Sequence, residues 1–172
     1  MYKKGYIQVY TGDGKGKTTA AFGQALRAAC AGNRVFIAQF MKKYPYNEIK
    51  VTDYIPNIII EQFGDVCFVG KEPSEKDYEL SAKALKRVKE VFESNNFDMV
   101  ILDEVNMAIY MKLIKVEELR KILLNKPVNV EVILTGRYAD NKIICIADLV
   151  TEMKEIKHYY TKGVKARNGI ER

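Results

Sequence analysis

Gly5-Tyr6-Ile7-Gln8-Val9-Tyr10 runs into Thr11-Gly12-Asp13-Gly14-Lys15-Gly16-Lys17-Thr18-Thr19 and then into Ala20-Ala21-Phe22-Gly23. These three pieces decide the fold. The first alternates along its length and is rich in β-branched and aromatic residues, which predicts a strand. Residues 18–31 are rich in Ala, with Phe22 and Leu26 four apart and Gly32-Asn33 behind them, which predicts a helix and its stop. The turn between ends in Gly-Lys-Thr. Its glycines let the backbone curl so that N–H groups face an anion, and the helix start adds the positive end of a dipole. Lys17 brings a mobile charge for phosphate oxygens, and the Thr18 hydroxyl is placed for Mg²⁺. The phosphate-loop pattern has Gly five residues before Gly16, where this chain has Thr11, so the match is to the core of the motif. The competing reading is a Gly-rich turn without a ligand. The strand before it, the helix after it and the extra glycines favour phosphate.

Working outward, Val35–Phe40 is nearly all apolar, as a parallel strand covered on both faces would be. Residues 41–56 read as loop with a short helix, and Ile58–Ile60 as a third strand. Ser74 opens the longest helix, with Asp77 three residues on as a variant capping box. Tyr78, Leu85, Val88 and Phe92 form its predicted inner face, Glu79 and Lys83 an outer pair, and Asn95-Asn96 its end. Met99–Leu102 is a fourth strand running into Asp103-Glu104. Helices from Val105 and over 116–124 follow, then a fifth strand over 130–134 leading into Thr135-Gly136-Arg137. A short helix over 142–147, a sixth strand over 149–156 and a polar tail complete the chain. Strands alternating with helices predict one α/β domain over residues 1–172, built on a mostly parallel sheet. Active groups in such sheets gather at the carboxyl ends of the strands. The loop, Asp103-Glu104 and Thr135-Gly136-Arg137 all fall there.

Acids after a buried strand hold Mg²⁺ directly or through water. Beside a phosphate loop this reading prevails over acids that merely complement a helix N-terminus. Glu104 is the favoured ligand, with Asp103 close behind and Thr18 opposite. Arg137 is a candidate contact for phosphate or for a second ligand. His158, the single histidine, is assigned no catalytic role, and Met153, Lys157 and His158 are candidate pocket residues, as are Tyr44 and Tyr46.

At 172 residues with 48% apolar content, the chain is long enough for a real core. No apolar run approaches the roughly 18 residues of a membrane span and no signal segment opens the sequence, so a soluble cytoplasmic protein is expected. Cys30, Cys67 and Cys145 are scattered and are expected to be small buried apolar residues rather than a disulfide or zinc set. The net charge is +6, and it sits at the ends: residues 1–50 carry +7, 51–100 carry −4, 101–150 balance and 151–172 carry +3. This is either a solvated basic face or an anion site built from both ends.

The run Tyr10–Gly23, Ile101-Leu102-Asp103-Glu104-Val105-Asn106, Leu134-Thr135-Gly136-Arg137, Ala147-Asp148-Leu149-Val150-Thr151-Glu152-Met153, Ile156-Lys157-His158 and Gly169-Ile170-Glu171 together resemble the ATP:corrinoid adenosyltransferases of the P-loop type. The resemblance implies a three-layer, RecA-like sheet and a commonly dimeric enzyme. It implies transfer of the 5′-deoxyadenosyl group of ATP to Co(I) of a corrinoid (cobyrinic acid a,c-diamide, cobinamide or cobalamin) with release of triphosphate. ATP would lie reversed along the loop, with Mg²⁺, or Mn²⁺ in its place, as cofactor. Binding would fall to Gly12, Asp13, Gly14, Lys15, Gly16, Lys17, Thr18, Thr19, Phe68 and Arg137, with Lys17, Thr18 and Glu104 supporting the chemistry. An electron-donor protein such as a flavodoxin would supply Co(I). Phe68 keeps an aromatic used in the family to hold the corrinoid four-coordinate, and Gly70 stands where the family has Trp. Only four residues precede the first strand, so the N-terminal lid of longer relatives is expected to be missing or replaced. Asp13 replaces a frequent Asn. The alternatives are an ordinary P-loop NTPase or kinase cleaving the β–γ bond, and a nucleic-acid-binding module, for which no sequence motif is present.

Overall fold

The computed structural model describes residues 2–43, 46–65 and 72–171. Six strands, β1 (Ile7–Thr11), β2 (Val35–Phe40), β3 (Ile58–Phe63), β4 (Met99–Asp103), β5 (Glu131–Thr135) and β6 (Leu149–Glu152), form one sheet in the order β3-β2-β4-β5-β1-β6. Every pairing is parallel. The helices are α1 (Lys17–Cys30), α2 (Val51–Tyr54), α3 (Glu75–Ser94), α4 (Val105–Tyr110), α5 (Val116–Leu124) and α6 (Asn141–Ile144), with short 3₁₀ turns at Asn47–Lys50 and Tyr159–Lys162.

Two apolar layers follow from the period of two in the central strands. Val35, Ile37, Met99, Ile101 and Ile133 face one way and pack with Ala21, Ala25, Ala28 and Ala29 of α1. Phe36, Ala38, Phe40, Val100, Leu102, Val132 and Leu134 face the other way and meet α3, α4 and α5. Strands buried on both faces read as continuous apolar runs, which is why β2 and β4 are visible in the sequence.

Several expectations are corrected. Leu26 is 46% exposed and the buried stripe of α1 is alanine, because small side chains bring this helix close against the sheet. Tyr78 is likewise 46% exposed, while Asp77 and Ser81 turn inward with Leu85, Val88 and Phe92. Asp77 is held there by the cap, accepting from the Ser74 N–H at 2.8 Å and its hydroxyl at 2.5 Å. Lys76, not Lys83, pairs with Glu79, at 3.2 Å. Cys30 and Cys145 are exposed rather than buried, and Cys67 lies outside the described residues. The sixth strand stops at Glu152 because its partner β1 ends at Thr11: the Met153 N–H makes the last rung, to the Thr11 carbonyl at 2.8 Å, and Met153 and Lys154 then pack behind the loop that follows β1. No helix among the described residues is long and apolar enough to cross a membrane.

Candidate active site

The loop between β1 and α1 keeps its curl with two residues at positive φ, Gly12 at 94° and Gly16 at 117°. Thr11 needs no such freedom: it is the last residue of β1, and its hydroxyl accepts from the Ala139 N–H at 3.2 Å. Gly12 takes over the role of the missing first glycine. A Cβ there would lie 2.4 Å from the Met153 carbonyl oxygen, so backbone from after β6 presses directly on the loop. Gly14 is tied to the same segment, its N–H bonding the Met153 carbonyl at 2.7 Å. Gly12→Ala is expected to cost at least about 1–2 kcal/mol from the left-handed backbone alone. A urea unfolding curve matching that of the parent would contradict this packing.

Lys17 begins α1 and folds back into its own loop, donating to the Gly12 and Gly14 carbonyls at 2.7 Å each. Burial lowers its pKa, and the nearby Arg137 lowers it further. Thr18 points the other way and donates to Asp103 Oδ1 at 2.9 Å. Asp103 ends β4 fully buried and also accepts from Thr135 (2.7 Å), Lys42 (2.8 Å) and Gln39 (3.1 Å). Lys42 stays charged: burial pulls its pKa down, and the Asp103 carboxylate more than offsets this.

Glu104 follows at φ 62°, a left-handed conformation in a non-glycine residue, with its N–H bonded to the Thr135 hydroxyl at 2.9 Å. Strain of this kind persists only where the surroundings over-determine it. Here β4 before it, α4 after it and the Thr135 hydroxyl at the end of β5 hold the residue. Its carboxyl lines the cleft, and burial, then the Asp103 charge, raises its pKa.

Arg137 leaves the end of β5 and reaches the loop, with its guanidinium 3.5 Å from the Asp13 carbonyl and 4.0 Å from the Asp13 carboxylate. Lys15 points outward to the tail. Its ammonium contacts Glu171 (2.7 Å), the Tyr159 hydroxyl (2.8 Å) and the Ile170 carbonyl (3.3 Å). Glu171 also binds Arg167 at 3.1 Å and accepts from the Tyr159 hydroxyl. Arg167 first, then Lys15 and Tyr159, hold its carboxyl far below the usual carboxylate range.

These groups line one open cleft of about 560 Å³ at the carboxyl end of the sheet. Residues 13–19, Glu104 and Arg137 wall it; Gly12 lies behind the loop as an acceptor for Lys17, and Asp103 lies beneath. Phe68 and Tyr44 fall outside the described residues. Tyr46 and His158 line the cleft and Lys157 does not, while Met153 acts mainly through its backbone behind the loop. The oxygens of Thr18 and Glu104 are hard donors, and no trio of His, Cys, Asp and Glu among the described residues forms a metal cage. That set fits a Mg²⁺ shared with phosphate and water.

The ATP:corrinoid adenosyltransferase BtuR/CobO/CobP family matches residues 3–172. The chain belongs to this family. It is 37% identical to a corrinoid adenosyltransferase of Sinorhizobium sp over 98% of this chain and 81% of that one. It is 34% identical to the corrinoid adenosyltransferases of Escherichia coli and Salmonella typhimurium over 98% of this chain and 86% of each. A solved KaiC-like protein from Pyrococcus horikoshii superposes with a TM-score of 0.57 at 19% identity, covering 88% of this chain and 74% of that one, a likeness of fold alone. The enzyme carries out ATP-dependent adenosylation of corrinoids.

Three parts of this enzyme's cleft escaped the sequence reading. Lys42 was not singled out, because nothing in Phe40-Met41-Lys42 distinguishes it from a surface lysine. Asn47 and Glu48 sit in a segment without a period. The tail, whose charge the sequence reads either as a solvated face or as one half of an anion site, forms a wall through Gly169, Ile170 and Glu171. The Gly-Ile-Glu match to the family was the one signal for it.

Proposed function

We propose that the cleft binds ATP with its triphosphate on residues 12–19 and aims the ribose C5′ at the cobalt of a reduced corrinoid. The observation that carries this is the convergence of Lys17, Thr18, Glu104 and Arg137 on one cleft at the ends of β1, β4 and β5. Co(I) attacks C5′, the C5′–O bond breaks, and its electron pair leaves with triphosphate while cobalt becomes formally Co(III). The nucleophile is cobalt, so the protein has to orient and to stabilise the leaving group. Lys17, the loop N–H groups and Arg137 would spread the negative charge, with Lys15 joining them once released from Glu171. Thr18 and Glu104 would hold Mg²⁺, which neutralises triphosphate charge when bound. The enzyme is read as a single cytoplasmic domain acting as a homodimer, with Co(I) supplied by a flavodoxin-like donor.

An anaerobic mixture of protein, ATP, Mg²⁺ and chemically reduced cobalamin tests this. A light-sensitive alkylcobalamin and one triphosphate per turnover are expected. ADP and phosphate without alkylation would indicate β–γ cleavage and end the proposal.

Glu104 provides a second test. Because its folded pKa is raised, it favours the native state below the ordinary carboxylate value near 4.5, and that contribution is lost as pH rises through the folded value. Glu104→Gln should therefore raise the melting temperature of the ligand-free protein at pH 7, and the gain should shrink toward pH 4. The same variant should bind Mg²⁺ with ATP more weakly. A lower melting temperature at pH 7 would contradict the electrostatics.

A further inference from the structure

An ionised carboxylate offers about four lone-pair sites. Those of Asp103 are all engaged: Thr18 and Thr135 on Oδ1, Lys42 and Gln39 on Oδ2. Lys42 is the charged member of this set, and its position is built rather than incidental. Met41 turns the chain at φ 57°, and its N–H bonds the Phe63 carbonyl at 2.9 Å. Gly64 packs so tightly that a Cβ would stand 2.3 Å from the Lys42 backbone nitrogen. The backbone is thus pinned at the end of β2, and the side chain, 16% exposed, enters the site. There its ammonium lies 2.8 Å from Asp103, 3.5 Å from the Thr18 hydroxyl, and 5.4 Å from the centre of the Tyr46 ring.

We propose that Lys42 is a resident cation: it occupies on Asp103 the place a divalent ion would otherwise take, and so confines that ion to Thr18 and Glu104. This rests on the assignment of the metal to those two residues in the proposed function. Without nucleotide, the ion then has two protein oxygens and faces the ammonium, so it binds poorly. With ATP, phosphate oxygens complete its shell. Lys42 is a positioning residue that couples metal entry to nucleotide entry.

Mn²⁺ binding followed by electron paramagnetic resonance separates the two ideas. Nucleotide-free wild type should bind Mn²⁺ weakly, and Lys42→Met at least about tenfold more tightly, since one like charge has been removed from a partly buried site. The double variant Lys42→Met/Asp103→Asn should return to the weak value. Lys42→Met no tighter than wild type, or a gain that survives in the double variant, overturns the proposal. Wild type that fails to bind Mn²⁺ even with ATP overturns the metal assignment instead. Lysine acylation of wild type, read by mass spectrometry, needs no variant to fold. Lys42 should react slowly, and millimolar Mg²⁺ alone should leave that rate unchanged. A several-fold acceleration by Mg²⁺ alone would show the ion displacing Lys42 from Asp103, and would overturn the proposal.

Discussion

Lys17→Ala is expected to lower alkylcorrinoid formation by at least about 100-fold, the scale of about 2.7–4 kcal/mol for one lost charged or oxyanion contact. The geometry explains why the loss is large even with Arg137 in the same cleft. Lys17 is 9% exposed and held inside the loop by two carbonyls, so its ammonium is partly desolvated where triphosphate charge would develop. Its contacts with Gly12 and Gly14 are neutral and exchange readily for phosphate oxygens. Lys15 is engaged with Glu171 and Tyr159, and Lys42 with Asp103. The measurement is single-turnover alkylation under anaerobic conditions, beside a melting curve showing that the variant folds. Turnover within a few-fold of wild type would remove Lys17 from the proposed machinery.

Asp103→Ala is expected to be the most destabilising change in the site, by about 3–5 kcal/mol. It removes a fully buried acceptor from four donors and strands the Lys42 ammonium without its counter-ion. For a chain of this size, each kcal/mol moves the melting temperature by about 2–4 °C, so a fall of roughly 6–20 °C should be seen. Lys42→Met/Asp103→Ala should recover part of the loss, because the stranded charge has gone with its partner. A single-variant loss below about 1 kcal/mol, or no recovery in the double variant, would show that the buried pair does not hold the site together. The same variant frees Thr18, so its turnover should fall even at temperatures where it is folded.

Both predictions turn on residues that the chain's local pattern treats very differently. Lys17 sits in a Gly-Lys-Thr turn between a strand and a helix, a local pattern that predicts a phosphate contact. Asp103 is legible as an acid at the end of an apolar strand, but not as the meeting point of β2, β4, β5 and α1. Its partners lie 85, 64, 61 and 32 positions away in the sequence. A contact across such distances leaves no local signature.

The sequence by itself determined the alternation of strands and helices, the parallel sheet and the phosphate loop. These depend on periodicity, on apolar runs and on glycines within a few residues of one another. It also placed the basic excess at both ends of the chain. The tertiary structure decided what that excess does. β6 pairs beside β1, and the chain after it passes behind the loop, so the tail turns back onto the cleft and Glu171 meets Lys15. Lys15, Arg137 and the tail share one cleft because parallel strands bring their carboxyl ends to the same end of the sheet. The alanine face of α1 was hidden for a related reason: small residues carry little hydrophobic signal, and their value appears only when a sheet lies close against them.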